Sequence, residues 1–165
     1  MPYSIVSIPG VRHNEFRAVV FLECAEDKTV DAGIGFDRLK ENRRFDLLRR
    51  FDHWVDNKQH HKKYHHGFDD ADHRDCYVFK ISDAGSYHRF YGFLVHPRPE
   101  TAPRFEVCVL YSHAIKRTAN TDPSELDRGN KLKRVPEVVE AIRIAFPEHG
   151  KKRYEGKPPL DGWKQ

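Results

Sequence analysis

A chain of 165 residues is about one domain long and can bury a core without disulfides or metal. Its formal charge of +4 and its eleven histidines make the surface basic, which favours polyanionic partners, nucleic acid first. Cys24, Cys76 and Cys108 are far apart, odd in number and never in a CxxC pair, which argues against a disulfide framework and for a reducing, cytoplasmic compartment; the start MPYSIVSIPGVRHNEF reads as no secretion signal, and no run nears the roughly 18 apolar residues of a membrane span.

In chain order, EFRAVVFLE (15–23) is short, apolar and rich in β-branched and aromatic residues, and predicts a strand. FDRLKENRRFDLLRRFDHWVDNKQ then places Phe36, Leu39, Phe45, Leu48, Phe51 and Val55 near i, i+3, i+4 spacing, the stripe of a helix or helical hairpin whose other face carries Arg43, Arg44, Arg49 and Arg50. CYVFKIS (76–82), SYHRFYGFLVH (86–96) and RFEVCVLYSH (104–113) predict three antiparallel strands in a meander. DPSELDRGNKLKRV, with Asp or Ser as N-cap, and PEVVEAIRIAF, with Pro136 at its first turn, predict two closing helices. The expected fold is α+β: an N-terminal strand, a helical hairpin, a three-stranded antiparallel meander and C-terminal helices, with the helices on one face of the sheet. It forms a single domain over 1–147, followed by a basic, loosely held tail at 148–165.

Strand alternation sorts the side chains by face. On 86–96, Tyr87, Arg89, Tyr91, Phe93 and Val95 point one way and His88, Phe90, Gly92, Leu94 and His96 the other. On 76–82, Lys80 is a single charge in an apolar strand, sharing a face with Cys76 and Val78. The third run brings His113, Lys116 and Arg117 to its exit.

CYVFKISDAGSYHRFYGFLV, followed by FEVCVLYSHAIKRTANTDPSEL, resembles the sheet of the RelE/HigB toxin superfamily, including its phage-derived relatives, over about residues 36–135. The resemblance implies a RelE/ParE-like fold and an endoribonuclease that cleaves mRNA, on the ribosome or free, silenced by a cognate antitoxin. The ribose 2′-hydroxyl is the nucleophile there, with no metal or other cofactor, so the site needs a base, cations around the phosphate and a proton donor. By this likeness Lys80, Arg89, His113 and Arg117 are catalytic, and His88, Tyr91 and Lys116 line the RNA path. The chain departs from the family where Asp122, Pro123 and Ser124 replace a tyrosine after the Lys-Arg pair, and where Val78 replaces a cation. A non-catalytic nucleic-acid-binding or phage-derived protein of the same fold is the alternative. Plainer roles exist too: Lys80 as an edge-strand guard, and Arg89 stacked on Tyr87 or Tyr91.

The stretch NKQHHKKYHHGFDD (57–70) stays open between three readings. His60, His61, His65 and His66, with Asp69, Asp70 and His73, supply zinc-type ligand atoms, but no cysteine is near and Gly67 interrupts any helix that would align His61 with His65. Phosphate contact by Lys62 and Lys63 is preferred, since the resemblance puts this stretch beside the RNA; a solvated loop is the third reading.

Overall fold

The computed structural model describes residues 2–56, 64–98, 105–116 and 122–147. The elements run β1 (Tyr3–Ser7), β2 (Arg17–Cys24), α1 (Ala32–Arg38), α2 (Glu41–Val55), β3 (His65–Gly67), β4 (Cys76–Asp83), β5 (Ser86–Arg98), β6 (Phe105–Lys116), α3 (Pro123–Arg134) and α4 (Pro136–Ala145), with a short 3-10 turn at Ala71–His73. The strands form one six-stranded mixed sheet in the order β1-β2-β6-β5-β4-β3. Every neighbouring pair is antiparallel except β2 and β6, which run parallel.

This corrects the expected architecture. Two strands, not one, precede the helices, a short β3 separates them from the meander, and the meander is half of a larger mixed sheet. The helices cover both faces. Leu47, Phe51, Trp54 and Val55 of α2 and Phe36 of α1 pack on Val19, Phe21, Phe79, Ile81, Phe90 and Leu110. On the opposite face Leu126 and Leu132 of α3 and Val138, Ile142 and Ala145 of α4 pack on Ala18, Val20, Leu22, Val78, Tyr91, Phe93, Val107, Val109 and Tyr111. The continuous apolar runs of β2 and β6 explain it: a strand with no polar side must be covered on both sides.

The apolar stripe of α2 also differs from its expected phase. Leu47 is fully buried while Phe45 stands 56% exposed. Leu39 and Lys40 are extended, with ψ of 150° and 151°, so the helix breaks between α1 and α2 and its phase resets. α3 begins as expected at Asp122, whose carboxylate accepts from the Ser124 amide at 3.0 Å and supplies one of the donor partners a helix start needs. Among the described residues no helix is long and apolar enough to cross a membrane.

One irregularity positions the site. Between Tyr91 and Gly92 the β5–β6 register jumps, so that Tyr91 faces Ser112 while Gly92 faces Leu110 and Tyr111 is the extra residue. A bulge of this kind reverses the alternation beyond it. Gly92 is the residue that lets the strands close here, because a Cβ on it would stand 2.8 Å from the Val109 carbonyl oxygen.

Candidate functional site

Lys80 on β4 lies directly opposite Arg89 on β5, and Arg89 in turn faces Ala114 on β6. Lys116, opposite Tyr87, extends the row toward the end of β6. By alternation these side chains share the face that α3 covers, with Val78, Tyr91 and Ala114. Arg89 is buried, at 2% exposure, whereas Lys80 and Lys116 are half-buried. Burial, and then the neighbouring Arg89 charge, lower the Lys80 pKa. Tyr91 is fully buried behind this row, so it has no open ring face for a base. Burial raises its pKa, with the Arg89 charge pulling the other way.

α3 closes this end through Glu125. Its carboxylate accepts from Ser112 Oγ at 2.7 Å and from Arg128 Nη1 at 2.9 Å, and its backbone oxygen accepts from the Tyr111 hydroxyl at 2.6 Å. Both residues of the bulge therefore reach the same residue of α3. Asp122, at the helix start, is close enough to Lys116 for that charge to help hold its carboxyl below the usual range, behind the larger effect of its Ser124 hydrogen bonds.

His88 and His113 stand on the other face of the sheet. Their rings stack with centroids 5.2 Å apart, and His88 Nδ1 is 2.9 Å from His113 Nε2. Phe90 stacks on His113 at 4.7 Å, and the His113 amide donates to Asp31 Oδ1 at 2.9 Å. Gly35 of α1 leaves the room for this ring, since a Cβ there would meet His113 Cγ at 2.3 Å. Burial, with His88 and Arg38 adding to it, pushes the His113 pKa down to about 4. The bulge at Tyr111 is the reason for the separation: in an unbroken β6, His113 would share the face of Tyr111.

The predicted set is therefore split. Lys80, Arg89 and Lys116 come together with Tyr91 behind them; His88 and His113 pair with each other across the sheet from them. Arg117, Lys62 and Lys63 lie outside the described residues, as do His60 and His61. The described part of the histidine tract is internally bonded. His65, 1% exposed, lies between Tyr77 Oη at 2.7 Å and His53 Nδ1 at 3.1 Å, and His66 Nδ1 donates to the Gly67 carbonyl. His73 sits between Asp70 and Asp127 at 2.6 and 2.8 Å, and these contacts raise its pKa. Among the described residues no group of three or more His, Cys, Asp or Glu side chains is placed to hold a metal ion.

Sequence reading missed the network of Glu125, Ser112 and Arg128 by which α3 holds the bulge beside the cation row. A glutamate in the first turn of a helix was visible, but the strand it reaches depends on which face α3 covers. Comparison with protein-family models, curated proteins and solved structures found no match to the chain.

Proposed function

We propose that the chain is an mRNA-directed endoribonuclease of the RelE/HigB type, silenced by a cognate antitoxin and acting at the α3-side end of β4, β5 and β6. The observation that supports this most is the placing of Lys80 directly opposite Arg89. Two cations set opposite each other on neighbouring strands concentrate positive potential at one place on the sheet, which attracts a phosphate. Lys80 and Lys116, both half-buried, touch the scissile phosphodiester, while buried Arg89 contributes its field from behind. Lys80, whose pKa burial and the Arg89 charge lower, takes the proton of the ribose 2′-hydroxyl. The 2′-oxygen attacks phosphorus and the bond to the 5′-oxygen breaks. Lys116 gives that oxygen its proton, leaving a 2′,3′-cyclic phosphate and a 5′-hydroxyl.

His113 takes no part in this scheme, since it faces α1. That separation favours a second reading, an RNA-binding module that does not cleave. The two are told apart by incubating the full chain with mRNA, with and without translating ribosomes. The first predicts fragments ending in a 2′,3′-cyclic phosphate, falling about 100-fold in Lys80→Met, the range for loss of a general base. Salt-sensitive binding without cleavage in either setting establishes the second and rejects the first; salt-insensitive binding rejects both.

A further inference from the structure

Away from the cation row, against β1 and the corner between α1 and α2, lies a cavity of about 470 Å³. That volume is in the range of small-molecule sites, which are mainly apolar with a few placed polar groups. Val6, Phe21, Phe36, Phe45 and Leu48 form its apolar walls. Phe45 is 56% exposed and so keeps part of an aromatic ring open to solvent at the lining. Three carboxylates, Glu23, Asp37 and Glu41, line the cavity with a single cation, Arg44. The Arg44 guanidinium is already engaged, donating to the Leu39 carbonyl and, at 3.4 Å, to that of Asp37. Among the described residues, no side-chain hydrogen bond or ion pair engages the carboxylates of Glu23, Asp37 and Glu41. Gly33 keeps the wall open beside Glu23: a Cβ on it would stand 3.3 Å from Glu23 Oε2 and 3.5 Å from the Phe21 ring.

We propose that this cavity binds an organic cation, an ammonium or guanidinium carried on an aryl or short alkyl body. The aromatic walls remove the apolar body from water and offer ring faces to the charge, and the carboxylates at the lining neutralise it. On a chain of net charge +4, an anion would meet attraction almost anywhere but here. None of these residues belongs to the RNA scheme, so the two stand or fall separately.

The test is titration of the full chain with phenethylamine, the isosteric anion 3-phenylpropionate and the neutral phenethyl alcohol, followed by amide NMR shifts at Gly33 and Phe45. Saturable binding of phenethylamine is expected, weakened by salt and by about tenfold in Glu23→Gln/Glu41→Gln, with the anion at least tenfold weaker than the amine. Gly33→Ala, which narrows the wall, weakens it as well. The proposal is overturned by equal binding of anion and amine, by an unchanged Kd in the double variant, or by no saturable binding of phenethylamine up to about 10 mM.

Discussion

A buried imidazole is a stability device as much as a chemical one. The pKa of His113 is pushed down to about 4, and that of His13, 5% exposed, is pushed by burial to the same value. An unfolded histidine titrates near 6.5, so between there and about 4 the unfolded chain holds more protons than the folded one, and stability falls as pH falls. Each fully shifted histidine accounts for up to about 3 kcal/mol of that loss. His73 has the opposite sign: its pKa is raised by Asp127 and Asp70, so its contribution is present at low pH and is lost as pH rises through its folded value. Its partners Asp70 and Asp127 stand 55% and 61% exposed, so solvent screens the pairs and they offset little of the loss. Urea midpoints measured at pH 7 and pH 4.5 should differ accordingly, and His113→Asn should narrow the gap. An unchanged gap in that variant would mean that the half-buried His113 ring is not shielded from solvent by Phe90 and α1.

The bulge and α3 act as one element. Tyr111 and Ser112 both reach Glu125 only because the extra residue puts them on the same side of β6. The tight fit at Gly92 is against backbone, a carbonyl oxygen 2.8 Å from where a Cβ would go, so the strand pair must shift to admit a methyl group. Gly92→Ala should lower stability by about 2–3 kcal/mol, as overpacking of a closed core does. Chemical denaturation would show it. A loss under about 0.5 kcal/mol, the size of an ordinary surface change, would mean that the register accommodates the change and that the split of His113 from Lys80 is not locked by this residue.

At the scale of the whole molecule, the sheet separates the cation row from the histidine pair, and RNA binding should respect that separation. Lys80→Met and Lys116→Ala should each reduce the salt slope of RNA affinity by about 1, whereas His88→Ala, on the α1 side, should leave it unchanged. Equal effects from all three would place the RNA elsewhere. Several features were legible in the chain by itself, because they are local. The apolar runs of β2 and β4 to β6, the short turn joining β4 to β5 and the Asp122 cap follow from residue period and turn chemistry over a few positions. Tertiary structure alone decided the parallel partner of β2, the second helical layer, the phase of α2 and the face of His113. Each of these depends on a distant neighbour or on one inserted residue. A single extra residue reverses alternation without changing composition, and a face is assigned only when the opposing layer covers it.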